Sequence, residues 1–264
     1  MKAMMPPHWT ERREELAARL GRVPRLLVAT DFDGTLAPIC PRPQDVAMPP
    51  GAKASLEALA EQPGVRVAVL SGRALAEVAG LVGLAKAVYA GNHGLEIRGG
   101  GIDWVHPQAL ACRPRLDAAA GFLEEKLRRV EGAFTEHKQL SLSLHYRLVA
   151  EHDLPRVEEA AMLCAAAFPE LRRHEGKMVV EFRPDVPWNK GYALKHLLKR
   201  LGLPGAAALY AGDDATDEDA FAVLGDSGTT LHVGANPATL ARCRLRSPED
   251  YAEFLEWLRG LRIP

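Results

Sequence analysis

Two aspartates one residue apart, Asp31 and Asp33, close the apolar run Leu26, Leu27, Val28, Ala29 and are followed at once by Gly34. Carboxylates this close repel one another, and burying them without partners is costly. A hard divalent cation such as Mg2+ removes the conflict, because it takes oxygen ligands and keeps part of its shell for water or a phosphate group. Three other places carry polar groups after apolar runs or at a helix start: Ser71 and Arg73 in SGR, Lys190 in NKG, and Asp213, Asp214 and Asp217 in GDDATDED. Each has a plainer reading when taken alone. Asp and Gly are ordinary turn residues, Ser71 can cap a helix, a lysine is usually solvated, and acidic residues favour a helix N-terminus.

The elements that must position these residues follow from periodicity. The apolar run at 26–29, without alternation, suits a strand buried on both faces of a parallel sheet, and further strands are predicted at 65–70, 87–90, 206–211 and 229–233. Helical spacing is predicted from Thr10 as N-cap to Leu20, and from Ala52 to Ala60. Asn189 opens a helix with Leu194, Leu197, Leu198 and Leu201 on its apolar side, and Tyr251, Phe254, Leu255 and Leu258 mark a closing one. All the candidate residues then fall at the carboxyl ends of strands or the starts of the following helices, the edge where open α/β sheets bind ligands. The predicted fold class is α/β, with a doubly wound parallel sheet at its centre.

The texture changes after Gly99. Leu116, Leu123, Leu127 and Val130 predict an amphipathic helix, and a second runs from about Leu154 to Phe168. Between them Leu140, Leu142, Leu144 and Tyr146 alternate with Ser141, Ser143, His145 and Arg147. A second alternating strand, Lys177 to Arg183, sets Met178, Val180 and Phe182 against Lys177, Val179, Glu181 and Arg183. This describes an α+β domain whose sheet has one helix-covered face and one open face. The expected organisation is a core over 1–105 and 187–264 interrupted by an inserted α+β domain over 106–186.

A length of 264 residues is ample for one large domain or two smaller ones, and a formal net charge of −1 gives no footing for nucleic acid or an anionic membrane surface. Cys40, Cys112, Cys164 and Cys243 are widely spaced, with no CxxC pair or zinc spacing, and read as thiols of a reducing compartment. The first twenty residues lack a signal-peptide pattern and no apolar run is long enough to span a bilayer, so a cytoplasmic location is expected.

Taken together and in this order, DFDGTL, Ser71, Lys190 and GDDATDED resemble the motifs of the haloacid dehalogenase superfamily of phosphotransferases. The resemblance implies a HAD-like core with the inserted domain as a cap. It implies that Asp31 is the nucleophile that becomes an aspartyl phosphate, and that Asp33 protonates the leaving oxygen and later takes a proton from water. Ser71 and Lys190 match the residues that hold the phosphate, and Asp31, Asp33 and Asp213 match the metal-binding set for Mg2+. Asp214 and Asp217 either bind the metal or orient Lys190 and waters from behind.

A narrower resemblance, to trehalose-6-phosphate phosphatases, is carried by SGR, GNHG at 91–94, EHKQLSLSLHYR at 136–147, EGKMVVEFRP at 175–184, NKG and GDDATDED. It implies trehalose 6-phosphate as substrate, with Arg73, Asn92, Glu136, Arg147, Lys177 and Glu181 binding it and a separate trehalose-phosphate synthase chain as the partner. Lys177 and Glu181, four positions apart on one predicted strand face, would span roughly 13 Å. Without the resemblance the same residues read as a solvated sheet face with cross-strand ion pairs. His145 and Arg147 either support the cap or contact the phosphate-bearing ring, and Asn92 and His93 shape the hinge. A phosphatase of another sugar phosphate, of sucrose or mannosyl-glycerate type, and a sugar-phosphate-binding regulatory module remain the alternatives.

Overall fold

The computed structural model describes residues 5–40, 45–176 and 178–261. The chain divides into two compact units, one of Met1–Trp104 with Trp188–Pro264 and one of Val105–Pro187. In chain order the first unit supplies α1 (Arg13–Leu20), β1 (Leu26–Thr30), α2 (Ala52–Glu61), β2 (Val65–Leu70), α3 (Leu75–Val82), β3 (Val88–Gly91), β4 (Glu96–Gly99) and β5 (Ile102–Val105, whose last residue falls in the second unit). The second unit carries α4 (Pro107–Ala111), α5 (Arg113–Leu127), β6 (Phe134–His137), β7 (Leu142–His145), α6 (Leu154–Ala167), β8 (Leu171–Gly176) and β9 (Val179–Pro184). The first unit then resumes with α7 (Lys190–Leu201), β10 (Ala208–Gly212), α8 (Ala215–Leu224), β11 (Thr229–Val233), β12 (Cys243–Leu245) and α9 (Pro248–Leu261).

The sheet of the first unit runs β12-β11-β10-β1-β2-β3-β4-β5. The six strands from β12 to β3 are parallel, and β4 turns back antiparallel beside β3. The unalternating run of β1 has a direct cause. Leu26 and Val28 enter one apolar layer with Leu56, Leu59, Phe254 and Leu258, whereas Leu27 and Ala29 enter another with Leu194, Leu197 and Phe221. A buried leucine contributes about 1.5–3 kcal/mol, so both faces of the strand favour apolar residues over 26–29. Strand order reverses between β1 and β10, where Leu27–Thr30 pairs with Ala208–Ala211. A crevice at the carboxyl ends of these two strands is where such a sheet accepts a ligand.

Helix α1 starts earlier than its sequence suggests, with a 3-10 turn over Trp9–Arg12 and His8, not Thr10, at the N-cap. A distant partner sets that start. The Asp250 carboxylate on α9 accepts from Trp9 Nε1 at 3.0 Å and lies 2.6 Å from His8 Nε2. Where the chain passes between units, Trp104 and Trp188 pack with ring centroids 4.9 Å apart and planes tilted by 35°, and Trp188 Nε1 donates to the Gly94 carbonyl at 2.9 Å.

The second unit is a four-stranded antiparallel sheet in the order β6-β7-β9-β8. Leu142, Leu144, Val180 and Phe182 pack on one face against Leu116, Leu123, Val157 and Ala161 of α5 and α6. Two expectations are corrected here, and one strand has no counterpart among the predicted elements. β9 runs from Val179 to Pro184 after Met178 with φ +62°, and Lys177, expected to share a strand face with Glu181, lies outside the described residues. β8, with the sequence LRRHEG, is a charged edge strand held by its pairing with β9, without the apolar alternation that marks a strand in sequence. The face away from the helices is not freely solvated at its centre, since Ser141, Ser143 and Glu181 are buried there. Among the described residues no helix is long and apolar enough to cross a membrane.

Candidate active site

Asp31 is the first residue past β1, and its amide still donates to the Ala211 carbonyl at 2.8 Å as a last rung with β10. That rung fixes its backbone while the carboxylate, only 5% exposed, points to Lys190. Lys190 opens α7, whose first turn is held by the Asn189 side chain accepting from the Tyr192 amide at 2.9 Å. The Lys190 ammonium, on a residue 2% exposed, donates to Asp31 Oδ1 at 2.8 Å and to Asp217 Oδ1 at 2.7 Å. Asp217 is fully buried and heavily committed: it also accepts from the Tyr210 hydroxyl at 2.7 Å and from the Asp213 and Asp214 amides at 3.0 and 3.1 Å. Asp214 has a different task, capping α8 by accepting from the Thr216 amide at 2.7 Å and hydroxyl at 2.6 Å.

Backbone approach sets the rest. Gly34 has φ +85°, and a Cβ there would stand 2.1 Å from Asp213 Oδ2, so only glycine lets the DFDG turn close against this carboxylate. Thr35, one residue on, donates its hydroxyl to Asp213 Oδ1 at 3.1 Å. A Cβ on Gly212 would fall 2.2 Å from Asp217 Cγ, which makes the second glycine equally obligatory.

Asp31, Asp213 and Asp217 each offer an oxygen, and the three lie within 4.8 Å of one another. Their charge is under-compensated. Burial pushes the Asp31 carboxyl well above its ordinary value, and Asp217 and Asp213 push the same way against the pull of Lys190. Burial, with Asp217 and Asp214, raises Asp213 to about 6. Burial alone would lower the Lys190 ammonium, but Asp217 and Asp31 hold it well above its usual value, so it stays charged. One ammonium among these carboxylates leaves room for further positive charge, and an all-oxygen donor set suits a hard cation of the Mg2+ kind.

Asp33 stands apart from that group. Its two oxygens accept from Arg73 Nε and from the second guanidinium nitrogen, each at 2.7 Å, while Glu77 takes the third nitrogen. Thus the arginine expected on the substrate is committed to two protein carboxylates, and its guanidinium also lies over the Phe32 ring. Ser71, at the end of β2 and 1% exposed, accepts from the Arg73 amide at 3.1 Å. Asn92 and His93 both adopt left-handed backbone angles, and their amides donate to the Arg73 and Ser71 carbonyls at 2.8 and 2.9 Å. The buried Asn92 side chain donates to Glu96 at 2.7 Å, so Asn92 shapes the turn that carries Ser71 and Arg73.

The remaining candidates are in the second unit. Glu136 on β6 and Glu181 on β9 share the polar sheet face, each opposite Ser143 of β7. Lys138 lies 4.0 Å from Glu136 and 3.6 Å from Glu181. His145 Nε2 is 2.8 Å from Glu136 Oε2, and Arg183 donates to Glu181 at 2.6 Å. Arg147 is exposed beyond the end of β7. Sequence reasoning did not single out Tyr210, Thr35 or Lys138. Tyr210 had a usable signal, since a tyrosine inside a doubly buried strand requires a partner for its hydroxyl.

A family model described as trehalose-phosphatase matches residues 29–248. The chain is 41% identical to the trehalose-phosphate phosphatase of Mycobacterium marinum over 94% of its own length and 66% of that protein's. It is 34% identical to the probable trehalose-phosphate phosphatase 4 of Oryza sativa over 93% of its length and 70% of that protein's. A solved C-terminal domain of C. albicans trehalose-6-phosphate phosphatase shares the fold, with a TM-score of 0.78 at 24% identity, covering 98% of this chain and 99% of that one.

Proposed function

Because the chain belongs to the trehalose-phosphatase family, we propose that it hydrolyses trehalose 6-phosphate to trehalose and phosphate, with Mg2+ bound and Asp31 as the nucleophile. The observation that carries this reading is the buried Lys190 ammonium wedged between Asp31 and Asp217. It holds a carboxylate oxygen in a fixed direction and leaves a second one available, as nucleophilic attack on phosphorus requires.

Asp31 attacks phosphorus and forms an aspartyl phosphate. Asp33, released from one of its two Arg73 hydrogen bonds and entering the reaction protonated, gives that proton to the leaving sugar oxygen, and the carboxylate so formed takes a proton back from the water that hydrolyses the intermediate. The Lys190 ammonium and Ser71 hydroxyl offset charge on the phosphate oxygens, the main requirement of phosphoryl transfer. Mg2+ held by Asp31 and Asp213, with Asp217 beside them, would supply the positive charge this cluster lacks. In this proposal the polar sheet face of the second unit, residues 106–186 in the division expected from sequence, acts as the cap and reads the sugar. Glu136 and Glu181 accept its hydroxyl hydrogens there, while unmatched polar groups disfavour sugars of other shape. A separate trehalose-phosphate synthase chain would supply the substrate.

The test is phosphate release from a panel of trehalose, sucrose, mannosyl-glycerate and glucose phosphates, with Mg2+ and with EDTA. Turnover of trehalose 6-phosphate well above the others, lost in EDTA, supports the reading. Equal rates on sucrose and trehalose phosphates overturn the substrate, and undiminished rates in EDTA overturn the metal.

A further inference from the structure

The polar sheet face of the second unit carries one group that its charges do not account for. Phe134 on β6 is 55% exposed, although it stands on the same strand face as Glu136 two residues on. Its cross-strand neighbour is His145, whose ring stacks on it with centroids 4.6 Å apart and planes 14° from parallel. The same imidazole has its Nε2 2.8 Å from Glu136 Oε2. One histidine therefore fixes both an aromatic ring and a carboxylate, which strand geometry sets roughly 6–7 Å apart. His145 covers one side of the phenyl ring, and the residue remains more than half exposed.

An aromatic ring this exposed takes no part in the apolar core of the unit, whose contacts lie on the other face of the sheet. Lys138, Glu181, Arg183 and Ser141 nearby offer both hydrogen-bond donors and acceptors. A pyranose ring is a ligand that uses both features, since it presents a C–H face that stacks on an aromatic ring and hydroxyls at its rim. We propose that Phe134, backed by His145, is the platform on which one sugar ring of the substrate stacks, with Glu136 taking a hydroxyl of that same ring. This rests on the sugar-phosphatase reading and adds to it a determinant of ring shape that the charged residues do not provide. His145 serves as a positioning residue, acting through Phe134 and Glu136.

The experiment uses the full chain with Mg2+ and compares trehalose 6-phosphate with acetyl phosphate, a phosphate donor that has no sugar. The quantity read is the ratio of the two kcat/KM values. Phe134→Ala and Phe134→Leu are expected to lower this preference for the sugar phosphate roughly three- to tenfold, and Phe134→Trp to retain it, as expected for loss or retention of one aromatic face. Leucine keeps most of the apolar bulk, so a preference retained in Phe134→Leu but lost in Phe134→Ala overturns stacking in favour of bulk alone. A ratio unchanged in both variants overturns the platform altogether. A wild-type chain that cleaves acetyl phosphate but not trehalose 6-phosphate overturns the substrate reading, and the platform with it.

Discussion

Arg73 grips Asp33 with two parallel hydrogen bonds of 2.7 Å, one to each carboxylate oxygen. Such a two-pronged pair fixes the plane of the carboxylate as well as its place. Burial would lower the Arg73 guanidinium, but Asp33 and Glu77 more than offset that and raise it. If Arg73 orients Asp33 and does not touch substrate, Arg73→Ala should lower kcat by roughly 10–100-fold and leave KM within a few-fold, less than the roughly 100- to 10,000-fold that loss of the acid and base itself would cost. Steady-state kinetics decide the matter. A raised KM with kcat intact would return Arg73 to the substrate-binding residues.

Lys190 compensates two buried carboxylates at once. Lys190→Ala leaves both without their cation, and breaking a buried pair in this way costs about 3–5 kcal/mol. Urea denaturation should show that loss in the metal-free chain, together with loss of turnover. Mg2+ should restore part of the stability, because a cation at Asp31 and Asp213 replaces part of the missing charge, whereas activity should not return. Recovery of full activity would show that Lys190 has only a structural role.

Asp213 carries a pH dependence whose sign is fixed by its surroundings. Burial and its acidic neighbours raise its carboxyl from 3.8 to about 6. The folded chain thus holds this proton more tightly than the unfolded chain does. The associated stability is full below about pH 4 and is lost as the pH rises through about 6. Asp213→Asn should accordingly stabilise the metal-free chain at pH 7.5, by on the order of 1–3 kcal/mol, with the gain fading below pH 4. Mg2+ should raise the Tm of the wild type more than that of the variant. A wild-type Tm indifferent to Mg2+ would argue that no metal binds here.

Asp250 has the opposite sign. Burial would raise its carboxyl, but hydrogen bonds from Arg246, His8 and Trp9 hold it well below the usual carboxylate range. Its contribution is therefore present at neutral pH and is lost as the pH falls below about 4. Asp250→Asn should cost about 2–4 kcal/mol at pH 7, since the buried Trp9 and His8 lose a charged acceptor. The gap to the wild type should narrow in acid. Equal denaturation midpoints at pH 7 would mean that the N-terminal turn is not held by this carboxylate.

The doubly wound sheet was legible because its strands are apolar on both faces, and because Asp31, Ser71, Lys190 and Asp213 each directly follow a strand or open a helix. Roles within the cluster were less legible. Asp33 and Asp217 look alike in sequence, yet Arg73 from the loop after β2 claims one and Lys190 the other. Such pairings depend on residues 40 and 27 positions away, which local spacing does not encode. In the second unit β8 escaped notice because an edge strand of charged residues owes its extended form to its neighbour. Phe134 escaped for a related reason. Its meaning comes from the histidine across the ladder and not from its own segment.

The packing of Trp104 against Trp188 has a consequence for how such a chain can change over evolutionary time. Because the two ends that frame residues 105–187 stay side by side, the parallel sheet treats everything between them as one long excursion from a single doorway. Closing a loop costs an entropy that grows only slowly with its length, so a doorway already held shut makes the sheet almost indifferent to what is inserted there. A chain with residues 105–187 replaced by a short glycine and serine linker is expected to keep a cooperative thermal transition and Mg2+-dependent cleavage of acetyl phosphate, while losing its preference for the disaccharide. That outcome would make the reagent and the reader of the substrate separable parts, so that a new sugar specificity could be acquired by exchanging the excursion while the chemistry stays where it is.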